Sequence, residues 1–292
     1  MRLLPISLLL TCLLALPGCA SHLGRPEAPA KPEVHTRYQI ARDVIYSPPG
    51  WPEVLKADIY TPDPGPRSIM FPPLHWPAVL LIHGGGWEGP DRRELMASIA
   101  ERLAKRGYVV MNVNYRYAPQ YHWPAPFEDL QEALKWLRAH AEQYGVRSDR
   151  IASFGYSAGG HLAAMLGALG NTPETRVQAV VAGGTASDLR KVAEHPLVLQ
   201  FLNGNQQTFP ERYHAASPIL QIKPGDPPVF LYHGGMDGLV KLDQAEDYHR
   251  ALDAAGVPNE LYVLRGRGHI GAIFTDGGAV DAALEFLDRW LR

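Results

Sequence analysis

The chain has 292 residues, 46% of them hydrophobic, enough to bury one large core, with no composition break that would divide it into two ordinary domains. Lys and Arg total 28 against 30 Asp and Glu, a formal net charge of −2. That balance excludes a protein built to neutralise a phosphate backbone, so nucleic acid is not an expected partner.

The first residues read as an export signal. Arg2 gives a short positive start, and 3–16 is an apolar run of signal length, too short to span a bilayer and weakened as a helix by Pro5 and Pro17. The run ends in Leu16-Pro17-Gly18-Cys19, which resembles the bacterial lipobox. The resemblance implies removal of 1–18, lipidation of Cys19 and a membrane contact through that lipid. Ser21, in place of Asp, implies the outer membrane of a Gram-negative envelope, periplasmic side. An ordinary secretory signal is the alternative. Of the two cysteines, Cys12 falls in the leader and Cys19 carries the lipid, which leaves no thiol for a disulfide. Residues 19–36, with Gly24, Pro26, Pro29 and Pro32, have the composition of a flexible tether.

Residues 37–292 form the expected catalytic domain. Eight β-rich runs stand at 38–46, 54–60, 78–82, 108–114, 150–154, 177–182, 229–232 and 260–264. Helical stretches fall at about 92–105, 127–144, 158–169, 242–255 and 279–291. The first two runs have no helix between them and predict an antiparallel start. Later runs such as Val79-Leu80-Leu81-Ile82 are uninterrupted apolar stretches, as in strands covered on both faces. The alternation predicts an α/β fold, a mostly parallel eight-stranded sheet with helices on both faces. Residues 185–227, with Pro196, Pro210, Pro218 and Pro224, break the rhythm as a short cap insertion.

Residues 150–154 run into Gly155-Tyr156-Ser157-Ala158-Gly159, followed by a helical stretch. A serine on a strained strand-to-helix turn needs neighbours two before and two after it that lack side chains, and Gly155 and Gly159 meet that demand. Ser157 is therefore the candidate nucleophile; Ser153 lies inside the strand and lacks the turn. After the run 78–82 comes His83-Gly84-Gly85-Gly86-Trp87. Glycines there let backbone N–H groups approach a negative oxygen, and losing one such donor typically costs about 2.7–4 kcal/mol of barrier. The candidate donors are Gly85, Gly86 and Ala158.

Asp237 follows the run 229–232 and His269 follows 260–264, so both sit at carboxyl ends of strands in the chain order Ser, Asp, His. Asp243 and Asp247 are rivals for the acid but fall on the next helix. His233, His83 and His161 read as structural. No spacing of His, Cys or carboxylates suggests a metal, and no cofactor is expected.

These residues, with Asn114-Tyr115-Arg116-Tyr117-Ala118-Pro119, Pro124-Ala125-Pro126-Phe127-Glu128-Asp129 and Ala216-Ser217-Pro218-Ile219, resemble the α/β-hydrolase esterases grouped with hormone-sensitive lipase. More closely, they resemble BD-FAE-type feruloyl and acetyl esterases. The resemblance implies an α/β-hydrolase fold and a serine carboxylesterase acting on small-molecule or polysaccharide esters of short acyl or aryl acids. The short cap favours small acyl groups. Trp87, Tyr117, Tyr121, Trp123 and Tyr156 fall near the expected mouth, where rings could stack on a sugar or phenolic acid. An arylformamidase of the same fold and a non-catalytic binding lipoprotein are the alternatives.

Overall fold

A computed structural model describes residues 20–26, 34–63, 65 and 75–292. The leader 1–18 and Cys19 lie outside these residues. In chain order the strands and helices are β1 (Ala20–Leu23), β2 (Arg37–Ile45), β3 (Lys56–Asp63), β4 (Trp76–Ile82), α1 (Ala97–Lys105), β5 (Val109–Val113), α2 (Ala125–Ala139), α3 (Ala141–Tyr144) and β6 (Val146–Tyr156). They continue with α4 (Ala158–Leu169), β7 (Ala179–Gly183), α5 (Pro196–Leu202), α6 (Pro210–Ala215), β8 (Val229–Gly234), α7 (Asp243–Ala254), β9 (Asn259–Leu264), α8 (His269–Phe274) and α9 (Ala279–Leu291).

One sheet runs β1-β9-β8-β7-β6-β4-β5-β3-β2. The five pairings from β5 through β4, β6, β7 and β8 to β9 are parallel, while β2, β3 and β1 join antiparallel at the two edges. Strand alternation divides the core. Leu80 and Ile82 of β4 pack with Leu134, Leu162 and Leu166 on one side. Val79 and Leu81 pack with Leu103, Phe286 and Leu287 on the other. All ten of these side chains are removed from water, each worth about 1.5–3 kcal/mol. Helix α4 is buried at ten of its twelve positions, which is why it is apolar on every side.

The sheet has nine strands, not the eight read from the sequence. The added one, Ala20–Leu23, corrects the tether reading for its first residues: it pairs antiparallel with β9, Ala20 opposite Leu264 and Leu23 opposite Leu261. His22 secures it through Nε2 at 2.7 Å from Glu260 Oε2 and edge contacts with the rings of Phe230 and Tyr262. The cap insertion holds α5, α6 and two single 3-10 turns. The Asn114 and Pro124 stretches are tied together. Arg116 donates from its backbone N–H and its Nε to Asp129, both at 2.7 Å, and Trp51 Nε1 donates to the same carboxylate.

Because β4, β6, β8 and β9 are parallel, their carboxyl ends lie at one edge of the sheet. The loop 83–87, Ser157, Asp237 and His269 all follow those ends.

Candidate active site

Ser157 stands between β6 and α4 with φ 57° and ψ −121°, a backbone region that non-glycine residues enter at about 1–3 kcal/mol. The turn is closed by its own backbone: the Ser157 N–H donates to Gly183 O at 2.8 Å and the His161 N–H donates to Ser157 O at 2.9 Å. A Cβ on Gly155 would lie 2.1 Å from Gly159 O, and one on Gly159 would lie 2.1 Å from Ile82 O. Neither obstacle is a side chain that can swing away, so both positions require glycine. A Cβ on Gly84 would likewise meet Tyr156 O at 2.7 Å.

The three side chains expected to act together are adjacent. His269 Nε2 is 2.8 Å from Ser157 Oγ, and His269 Nδ1 is 2.6 Å from Asp237 Oδ2. Asp237 and His269 are each 7% exposed. The other carboxylate oxygen, Oδ1, accepts the N–H groups of Leu239 at 2.9 Å and Val240 at 2.8 Å. Burial pushes the Asp237 carboxyl up. The hydrogen bonds from His269 and Val240, with the nearby imidazoles, outweigh it and hold the group below its ordinary value. The acid is thus a fixed anion, oriented by two backbone donors and aimed at one ring nitrogen. The rivals do not share this setting: Asp243 and Asp247 lie on α7 and face Lys191.

The remaining histidines hold loops. Burial pushes His83 down to about 4, against its hydrogen bond to Gly84 O, so the ring is neutral. Its Nδ1–H donates to Gly84 O at 2.7 Å, and its Nε2 accepts from Tyr117 OH at 3.0 Å. Burial likewise pushes His161 down to about 4. Trp87 Nε1 donates to its Nδ1 at 3.2 Å and its Nε2–H donates to Ala216 O at 2.7 Å. These tautomers follow from the donors and acceptors around each ring. His161 therefore links the glycine loop, α4 and the cap. His233 Nε2 lies 2.8 Å from Val240 O and 3.4 Å from Asp237 Oδ2, behind the acid.

Gly86, Trp87, Ser157 and Ala158 line a cavity of about 60 Å3 closed by apolar side chains, among them Ala186, Val192, Leu197, Val198 and Leu239. Gly86 and Ala158 therefore share the cavity with Ser157. Gly85 is not among its lining residues: a Cβ there would meet the Arg92 side chain at 2.8 Å. Of the five rings expected near the mouth, Trp87 lines the cavity. Tyr117 serves His83, Tyr121 OH donates to Glu53, and Trp123 packs on Phe127 and Phe201. Tyr156 OH donates to His269 O at 2.5 Å, a brace for the base that sequence reasoning missed. Its signal was its place as the second residue of the Gly-x-Ser-x-Gly run, which aims it away from Ser157. Among the described residues no group of three or more His, Cys, Asp or Glu is arranged to hold a metal ion.

The BD-FAE family matches residues 58–252 of this chain. A probable carboxylic ester hydrolase of Mycobacterium tuberculosis, LipM, is 34% identical over 188 residues, covering 59% of this chain and 44% of that protein. The esterase LipC of the same organism is 29% identical over 253 residues, 80% of this chain and 60% of that protein. The chain thus spans about half the length of the curated relatives it matches. Among solved structures, a truncated carbohydrate esterase from gut microbiota superposes with a TM-score of 0.77 at 22% identity, covering 90% of this chain and 99% of that one. The native Est2 esterase of Thermogutta terrifontis gives 0.69 at 25% identity, covering 87% and 92%. These likenesses establish an α/β-hydrolase fold.

Proposed function

Because this chain belongs to the BD-FAE family of α/β-hydrolases, we propose that it is a serine carboxylesterase that hydrolyses short acyl esters through an acyl-enzyme at Ser157. The observation that carries this reading is His269 bridging Ser157 at 2.8 Å and Asp237 at 2.6 Å, with Ser157 lining an apolar cavity.

In this mechanism His269 Nε2 takes the Ser157 proton as Oγ attacks the ester carbonyl, and Asp237 stabilises the imidazolium through Nδ1–H. The carbonyl oxygen becomes an anion facing the N–H groups of Gly86 and Ala158. His269 then returns the proton to the leaving alcohol, which departs and leaves Ser157 acylated. Water attacks the acyl-enzyme with His269 again as base, releasing the acid and restoring Ser157. The cavity supports a small acyl group. On the same measure one water needs about 10–15 Å3, so its size admits roughly four to six atoms before side chains move.

The test is p-nitrophenyl acetate turnover beside esters of rising chain length. A nitrophenolate burst with preference for the shortest chains is expected, and Ser157→Ala should abolish the burst while the circular dichroism spectrum persists. A burst undiminished in Ser157→Ala overturns the assignment. From the lipobox resemblance we also propose that the mature protein is held in the bacterial cell envelope by lipid on Cys19. Metabolic labelling with palmitate should be lost in Cys19→Ser; an unlabelled wild type contradicts it.

A further inference from the structure

The loops that carry Asp237 and His269 end in a surface the ester chemistry does not use. Met236 is 71% exposed, Ile270 64% and Phe274 65%, and half-exposed Leu239 extends the patch into the cavity wall. The two loops meet. The Met236 N–H donates to Arg267 O at 2.9 Å, and Ile270 and Phe274 lie four residues apart on α8, hence on one helix face. Arg265 and Arg267 are exposed in the same loop, and neither side chain joins an ion pair with a described residue.

The pairing of β1 bears on what covers this patch. Ala20 lies opposite Leu264, the residue before Arg265, so the chain enters the domain beside the patch with no spacer between. Ala20, the first described residue, thus lies at the edge of the sheet that carries the mouth of the cavity.

We propose that this rim docks on an anionic bilayer surface, with Met236, Ile270 and Phe274 in the interfacial layer and Arg265 and Arg267 on lipid phosphates. The mouth of the cavity then faces the membrane. Long apolar side chains interleaved with arginines that pair with no described carboxylate match a headgroup boundary, where carbon enters the acyl edge and cations meet phosphate. The inference leans on the Cys19 anchor proposed above for its direction, and on the described residues for its composition. Its consequence is that esters displayed at the lipid surface reach Ser157 without crossing bulk water.

The test places the photoreactive residue p-benzoylphenylalanine at position 274 of the full chain, and at Asp149, at the other end of β6, as control. Each protein is reconstituted in vesicles of equal parts phosphatidylcholine and phosphatidylglycerol and irradiated. Position 274 should crosslink to phospholipid and position 149 should not. Arg265→Gln with Arg267→Gln should weaken docking roughly fivefold per arginine, about twenty-five-fold together, seen as a lower lipid yield. The same pair should leave nitrophenyl acetate turnover unchanged. Crosslinking of position 274 to a second copy of the chain, or equal lipid yields at 274 and 149, overturns the proposal. Detergent partitioning that persists in Cys19→Ser defeats the anchor alone, and absent turnover defeats the esterase reading alone. The crosslink decides the surface in either case.

Discussion

Around Ser157 the backbone is packed against backbone: the positions two residues either side have a carbonyl oxygen 2.1 Å from where a Cβ would stand. Around His269 the support comes from side chains and one phenol, Asp237 Oδ2, Ser157 Oγ and Tyr156 OH, and the flanking residues Met236 and Ile270 project into solvent. The nucleophile is thus built into the sheet-to-helix junction, while the acid and base are held by hydrogen bonds on a rim whose outer face the fold leaves unconstrained. The first arrangement dictates residue type by steric exclusion. The second fixes which atoms meet by hydrogen bonds and excludes a Cβ only behind the acid, where one on Gly234 would lie 2.4 Å from Arg267 O, and it leaves the outer surface to be shaped by what the protein touches.

The sharpest way to break that contrast is to add one methyl group to each region. Gly159→Ala forces a Cβ into Ile82 O and should destabilise the fold by about 3 kcal/mol or more, near the upper end of overpacking effects, and abolish turnover. Gly238→Ala, in the Asp237 loop, has nothing within 4 Å and should stay within about 0.5 kcal/mol of wild type. Urea denaturation of both variants checks this; equal losses would erase the distinction.

Next in size is a change that keeps the shape of the rim and alters one proton. Asp237→Asn retains an oxygen for the Leu239 and Val240 amides but presents the wrong partner to His269 Nδ1. It should lower kcat on the order of 10⁴-fold with the melting temperature little changed. Steady-state kinetics decides it, and a loss below about tenfold would mean that Asp237 does not set the tautomer of His269.

The most gradual effect is a pH dependence of stability on the nucleophile side. His83 and His161 are held near 4 by burial, against an ordinary value of 6.5. The unfolded chain binds protons first, so the stabilisation is whole above pH 6.5 and is lost as pH falls towards 4, at most roughly 3 kcal/mol for each ring. Urea midpoints at pH 7 and pH 4.5 should show the drop, and His161→Gln should reduce its size. A midpoint that does not move over this range would contradict the neutral, loop-clamping role of these rings.

The same division explains what was legible in the sequence. Gly155, Gly159 and the glycines after β4 announce themselves because steric exclusion writes directly into residue type. Asp237 and His269 could be picked out because strand ends mark where ligand-facing loops begin. The strand Ala20–Leu23 could not: it has four residues, no alternation, and depends on β9, more than two hundred residues away. Pro196 and Pro210 read as breakers, yet each opens a cap helix, where proline lacks only an N–H that has no partner anyway. Gly85 and Gly86 are indistinguishable as letters. Only the folded loop shows that Gly86 faces the cavity and Gly85 faces Arg92.

The relay of Ser157, His269 and Asp237 is tested most directly by treating the full chain with a fluorophosphonate and mapping the adduct by mass spectrometry. A single adduct on Ser157, formed far more slowly in Asp237→Asn, is the result this account predicts. An adduct on another serine, or an active protein that leaves Ser157 unmodified, would contradict it.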